Sequence, residues 1–150
     1  HLPISHLRAL RKLWLYDHTF LEGGLDDLGA CTALTTLWIS FVQFSGGDRD
    51  RVLSLVSAAP RLEYLKVEQR NVWPHYSGPA LDETMFAHLA NLPQLQHLDL
   101  RFSGHYEPSR ACLAPLSKCG KLVFIRIGWS GNIFLRGRET IRDATMDAAR

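Results

Sequence analysis

The chain has 150 residues, of which 46% are hydrophobic and 21% charged, a balance typical of a folded domain rather than a disordered segment. Its formal net charge of +2 gives no reason to expect nucleic acid, whose binders usually carry a strong basic stripe. The longest apolar runs are far too short to cross a membrane. Three cysteines do not suggest a disulfide framework, which favours an intracellular location, cytoplasmic or nuclear.

Five strands are predicted along the chain by a recurrent apolar pattern of the form LxxLxL. The five copies begin at Leu10, Leu34, Leu62, Leu95 and Leu122. The last two apolar positions of each copy alternate with other residues, which is the spacing of a strand with one buried face. These alternating pairs are Leu13 and Leu15, Leu37 and Ile39, Leu65 and Val67, Leu98 and Leu100, and Ile125 and Ile127.

Helices are predicted before the strands of the last three copies. Apolar residues also stand three and six positions before every copy, and in these three copies they extend to the spacing i, i+4, i+7 of one helix face. Pro60, Pro93 or Gly120 then ends the helix, and Pro115 should shorten or kink the last one. The helical triplets are Val52, Val56 and Ala59; Met85, Leu89 and Leu92; and Cys112, Leu116 and Cys119.

With these motifs the chain resembles a leucine-rich-repeat protein of the long-repeat kind found in ribonuclease-inhibitor-like and F-box-associated arrays. LTTLWI, LEYLKV and LQHLDL carry the resemblance, which covers roughly residues 4 to 130. It implies an α/β fold built as a right-handed leucine-rich-repeat solenoid, or horseshoe segment. Parallel strands would line its concave side and helices its convex side.

Two segments are predicted along the chain. Residues 1–130 should be a leucine-rich-repeat segment of about five repeats, truncated at its N-terminus because the first copy begins inside a repeat. Residues 131–150 contain no sixth copy and should form a C-terminal cap or a loosely ordered tail. The longest insertion, residues 71–83, should either pack its Trp73 on the edge of the array or contact a partner.

Alternation also predicts which strand residues lie on the concave surface, because successive side chains of a strand point to opposite faces. Trp14 and Trp38 hold the same slot of adjacent copies and should be stacked neighbours. Exposed aromatic residues and arginine are enriched at binding hot spots, although adjacent aromatics could also simply cover each other. The predicted partner-binding residues are Trp14, Tyr16, Trp38, Tyr64, Lys66, His97, Asp99, Arg101, Phe124 and Arg126.

The leading functional hypothesis is a protein-interaction module that recognises a protein partner, with neither nucleic acid nor a membrane. We expect no enzymatic activity, cofactor or metal, because the sequence lacks a phosphate-loop signature and its seven histidines show no metal-ligand spacing with the cysteines. By resemblance, the module would be the substrate-recognition part of an F-box-type ubiquitin-ligase adaptor or the sensing array of a nucleotide-binding immune receptor. A structural subunit of a large assembly is a third alternative.

Overall fold

The computed structural model describes residues 7–18, 26–41, 53–54, 56–69, 83–101, 110–128 and 133–148. These residues contain one six-stranded sheet whose strands follow one another in chain order. The strands are β1 (Lys12–His18), β2 (Thr36–Phe41), β3 (Tyr64–Gln69), β4 (His97–Arg101), β5 (Phe124–Ile127) and β6 (Ile133–Arg136). The helices with described bounds are the 3-10 helices η1 (Asp26–Ala30) and η2 (Arg110–Lys118) and the α-helices α1 (Glu83–Leu89) and α2 (Arg138–Ala148).

The first five strands lie where the alternating pattern predicts them, and each pairs in parallel with the next. Backbone hydrogen bonds fix where each strand starts. The carbonyl oxygen of Arg11 accepts the N–H groups of Thr35 and Thr36, at 2.8 and 3.0 Å. In the same way, the carbonyl oxygen of Glu63 accepts the N–H groups of Gln96 and His97 at the start of β4. The carbonyl oxygen of Gln96 accepts those of Val123 and Phe124 at the start of β5. Equivalent apolar positions therefore meet across the sheet.

The apolar pattern forms the hydrophobic core. In the second to fifth copies, every position of the pattern is buried, including those three and six residues upstream. The first copy is different, since Leu15 is buried but Leu7 is 40% exposed. Leu10 and Leu13 of that copy are only partly buried and pack against the core. The core is therefore complete from β2 onward and incomplete at β1.

The spacing of three residues upstream of each strand comes from tight turns. The N–H of Cys31 donates to the carbonyl oxygen of Leu28, and the N–H of Leu34 donates to that of Cys31, both at 3.0 Å. The same pair of bonds recurs in the third, fourth and fifth copies. A bond from residue i+3 to residue i places side chains three apart on one side of the chain. An apolar period of three thus arises there without an α-helix.

The predicted fold class is wrong. The protein is a small α/β structure with a six-stranded, mostly parallel sheet and few helices, rather than a right-handed leucine-rich-repeat solenoid with concave strands and convex helices. Of the helices predicted before the last three copies, the one before the fourth copy forms as α1, whereas η2 before the fifth copy is a 3-10 helix. In η2, Pro115 has no N–H group for an α-helical hydrogen bond.

The last strand departs from the predicted fold as well, because β6 pairs with β5 in the antiparallel sense. A parallel neighbour needs a crossover of a dozen or more residues. Only residues 128–132 separate the two strands, so the chain can only turn back. Gly128 directly follows β5 and Gly137 directly follows β6, and their φ values of 92° and 96° are ones that residues with a side chain rarely adopt.

The C-terminal helix α2 closes the core at the β6 end. It packs against η2 and β6 and buries Ile141 and Thr145. Residues 133–148 of the predicted cap or tail are therefore β6 and α2, while the division of the chain into two segments stays a prediction. Residues 71–82 of the longest insertion, Trp73 included, lie outside the described residues. None of the described helices is long and apolar enough to span a membrane.

Candidate partner-binding site

The predicted partner-binding residues lie on the face of the sheet opposite the core, here called the open face. One line across it joins Trp14, Trp38, Lys66, Asp99 and Arg126 as register partners. A second line joins Tyr64, His97 and Phe124, and Arg101 is the register partner of Glu68. The sheet thus brings the predicted residues together as alternation required.

Solvent exposure differs sharply across the open face. At the β1 end, Trp14 is 52% exposed and Tyr16 is 41% exposed. At the other end, Phe134 of β6 is 53% exposed. Between them, Lys66 is buried and Asp99 is only 5% exposed. The two ends of the open face are therefore accessible to solvent, whereas Lys66 and Asp99 at its centre are not.

The aromatic end of the face is formed by Trp14, Tyr16 and Trp38, here called the aromatic edge. Trp14 and Trp38 are register partners, but the ring that packs on Trp38 is that of Tyr16, at 4.9 Å between centroids and 66° between planes. The ammonium Nζ of Lys66 lies 3.8 Å from the centroid of the Trp38 ring. The buried Nε1 of Trp38 has no hydrogen-bond partner among the described residues. Ring contacts and the Lys66 cation therefore hold Trp38.

The centre of the face is a set of paired charges. Lys66 Nζ lies 2.9 Å from Glu68 Oε2. Asp99 accepts two hydrogen bonds from Arg101, at 3.0 and 2.9 Å, and lies 3.6 Å from a guanidinium nitrogen of Arg126. The hydrogen bond to Asp99 raises the pKa of the Arg101 guanidinium. Charges this deeply placed persist because each has an opposite partner.

A row of rings crosses the face near the starts of β3, β4 and β5 and ends on β6. Tyr64 and His97 lie 5.8 Å apart, His97 and Phe124 lie 5.6 Å apart, and Phe124 meets Phe134 edge-on at 5.6 Å. Burial, and secondly the negative charge of Asp99, raises the pKa of Tyr64. Its phenol therefore keeps its proton to a higher pH than an exposed tyrosine does.

This row borders a cavity of about 700 Å³, here called the arginine pocket. The Arg126 guanidinium lies 5.4 Å from the Phe124 ring and 5.5 Å from the Phe134 ring. The volume of the arginine pocket falls within the range of sites that hold a small ligand or a side chain. The lining residues are Tyr64, His97, Asp99, Val123, Phe124, Arg126, Phe134, Arg136 and Gly137.

Phe134 and Arg136 are among the lining residues of the pocket that were not predicted. They follow the fifth copy and belong to no LxxLxL pattern. The signal that could have found them is the alternation in IFLR, where Phe134 and Arg136 occupy the positions between Ile133 and Leu135. Register pairing with Arg126 and Phe124 then places both on the open face.

Among the described residues, no group of three or more His, Cys, Asp or Glu side chains could hold a metal ion. Cys119 is buried, and its thiol donates to the carbonyl oxygen of Leu89 at 3.3 Å. Burial raises the pKa of this thiol to about 11, so that it is not a nucleophile at neutral pH.

No protein-family model, curated protein or solved structure matches the chain. The open face has two accessible regions, the aromatic edge and the arginine pocket, and between them lie the paired charges around the buried Lys66, Glu68 and Asp99.

Proposed function

We propose that this protein is an interaction module that binds a protein partner through the open face of its sheet. The proposal rests mainly on the aromatic edge, where Trp14 and Tyr16 are 52% and 41% exposed beside Trp38. Exposed apolar groups are costly in water, and tryptophan and tyrosine are enriched among residues that dominate binding energy. A protein partner that covers them would remove this apolar area from water.

Preorganisation supports the same proposal. Tyr16 packs against Trp38, and Trp38 in turn lies under the buried cation of Lys66. Lys66 is held by Glu68 on the same strand. Side chains already fixed in position lose little conformational entropy when a partner binds, which favours affinity.

The test is affinity purification from native cells with paired variants. One bait carries Trp14→Ser and Tyr16→Ser, and the control bait carries Met146→Ser, which removes an exposed apolar side chain from α2 instead. We expect a specific partner to be lost with the first bait and retained with the second, with circular dichroism showing that both fold. Recovery of the same proteins by both baits would contradict binding through the aromatic edge.

The resemblance to leucine-rich-repeat proteins extends the proposal to two cellular settings, in the cytoplasm or the nucleus. One is substrate recognition in an F-box-type ubiquitin-ligase adaptor, and the other is ligand sensing in a nucleotide-binding immune receptor. The complete parent gene distinguishes them, since the first needs an F-box and the second a nucleotide-binding domain. Microscopy of the tagged full protein tests the compartment.

A structural subunit of a larger assembly is the alternative, favoured by the first copy of the apolar pattern. Leu7 is 40% exposed, and Leu10 and Leu13 are only partly buried, although equivalent residues in the other copies are buried. A neighbouring protein that packed on β1 would complete this part of the core. Leu7→Ser would then shift the protein from a large native complex to a small species in size-exclusion chromatography, while the Trp14 and Tyr16 variants would not.

A further inference from the structure

We infer that the arginine pocket binds an acidic side chain that stands next to an aromatic side chain in a segment of the partner protein. The inference rests on the proposed function, because it names the chemistry of the partner at the open face. It concerns the β5–β6 end of that face, whereas the proposed function is carried by the aromatic edge at β1.

The charge of the pocket favours an anion. Two arginines, Arg126 and Arg136, line it together with a single acidic residue, Asp99. That carboxylate already accepts two hydrogen bonds from Arg101, so its charge is largely satisfied. Arg136 is exposed, and no described carboxylate forms an ion pair with it. A carboxylate of the partner would bridge these two arginines with charge-assisted hydrogen bonds.

The apolar lining favours an aromatic ring beside that carboxylate. Phe134 is 53% exposed and meets Phe124 edge-on, which leaves one side of its ring open to solvent. Phe124 continues into the ring of His97 at 5.6 Å. A partner ring placed on Phe134 would extend this row and bury its exposed face, and such aromatic pairs are favourable beyond the area that they bury.

The short distance between the Arg126 cation and the two phenyl rings favours a peptide in which the acidic and aromatic residues are adjacent. The Arg126 guanidinium lies within 5.4 and 5.5 Å of the two phenyl centroids, so cation and rings border the same space. A volume of about 700 Å³ holds two side chains of this size. A simple anion would leave the rings exposed, and a purely apolar side chain would leave the arginines without a partner.

The probe is the blocked dipeptide Ac-Phe-Glu-NH2, titrated into the full chain and followed through the backbone amide signals of Arg136 and Gly137 by NMR. Ac-Phe-Gln-NH2 has the same shape without the charge, and Ac-Ala-Glu-NH2 keeps the charge without the ring. We expect each control to bind about tenfold more weakly, which is the size of one lost charge-assisted hydrogen bond or aromatic contact.

Two variants assign the effect to the pocket. Arg136→Gln should reduce the difference between the glutamate and glutamine peptides, because only Arg126 then remains to pair with the carboxylate. Arg142→Gln removes an arginine that is 70% exposed on α2 and should leave the difference intact. Equal binding of the two peptides, no binding of either, or an unchanged difference in Arg136→Gln would each overturn the inference. A well-dispersed spectrum of each variant shows that it is folded.

Failure here is distinct from failure of the proposed function. If the peptides do not discriminate but the Trp14 and Tyr16 bait still loses its partner, the open face binds a protein of other chemistry. If the peptides discriminate but that bait loses nothing, the arginine pocket binds its acidic segment without help from the aromatic edge.

Discussion

Asp99 is a carboxylate that is 5% exposed and is shared by two guanidinium groups on neighbouring positions of the open face. Its two arginines are unequally placed. Arg101 makes both hydrogen bonds, whereas Arg126 stands at 3.6 Å and also lies near two phenyl rings. Both arginine side chains retain more contact with water than Asp99 does.

This inequality predicts an asymmetric response to substitution. Arg101→Gln leaves a buried carboxylate with one distant cation and should lower the free energy of unfolding by about 3 kcal/mol. Asp99→Asn leaves two cations that water can still reach and should cost about 1 kcal/mol. Urea denaturation of both variants measures the order. Equal losses, or a larger loss for Asp99→Asn, would show that Arg101 is not the main partner of the carboxylate.

Cys119 predicts a dependence of stability on alkaline pH. Burial raises the pKa of its thiol from 9.0 to about 11, so the unfolded chain loses the thiol proton at lower pH than the folded chain. Stability is therefore unaffected by this group below pH 9 and falls by about 2 kcal/mol as the pH rises through 11. Cys119→Ala, compared with the unmodified chain at pH 8 and pH 11, should remove that part of the loss. An identical pH dependence in both proteins would contradict a buried, protonated thiol.

At the scale of elements, the strands were more predictable than the helices: the helix predicted before the fourth copy forms as α1, but the one predicted before the fifth copy is the 3-10 helix η2. Alternation such as Leu37 and Ile39 has one structural meaning, a strand with one buried face, and all five predicted strands form. An apolar spacing of three or four residues has two meanings, and the 3-10 turns of Leu28, Cys31 and Leu34 satisfy it as well as an α-helix does. Sequence periodicity cannot choose between them.

The antiparallel strand β6 was missed for a different reason. Its position depends on a chain reversal after β5 and on the pairing of Ile133 with Ile127, a tertiary contact that no local period reports. The candidate site shows the same division. Register places the predicted residues on one face, but Phe134 and Arg136 reach it only through β6. The burial of Lys66 and Asp99 at its centre was also beyond alternation, which assigns a face and not an exposure.

The glycine after β6 predicts the cost of disturbing the junction between β6 and α2. Gly137 has a φ of 96°, and its N–H donates to the carbonyl oxygen of Val123 at 2.9 Å. An added Cβ would meet only Thr140 Oγ1 at 3.8 Å, an ordinary contact, so the cost of Gly137→Ala is backbone strain of about 1 to 2 kcal/mol. Gly120→Ala is the matched control, because nothing lies within 4 Å of its added Cβ. Thermal unfolding should separate the two variants, and equal midpoints would contradict the strained backbone.

At the scale of the whole molecule, the burial of apolar side chains is uneven from one end of the sheet to the other. The apolar pattern is fully buried from β2 to β5, while at β1 Leu7 is 40% exposed and Leu13 only partly buried. β1 also has a strand neighbour on one side only, among the strands that the structure describes. Fewer buried apolar contacts mean that less free energy opposes local opening at that end.

Amide hydrogen exchange should therefore follow a gradient along the sheet. We expect the amides of β3 and β4 to exchange slowest and those of β1 to exchange fastest among the parallel strands. The amides of Leu65 and Leu98, compared with that of Leu13, give the measurement at equivalent positions. Uniform protection from β1 to β5 would show that the exposed leucines do not weaken this end.

The paired amide bonds at the strand starts have a consequence for how such a chain can vary. Arg11, Thr35, Glu63, Gln96 and Val123 stand at equivalent points, yet they are 24, 28, 33 and 27 residues apart in turn. Because two short hydrogen bonds at the start of each strand set the register, the connections between strands can differ in length without changing the pairing of the strands. Insertions and deletions would then accumulate outside the strands without shifting the open face. Homologues of such a chain would then be recognised by short strand segments of constant length rather than by long alignments without gaps.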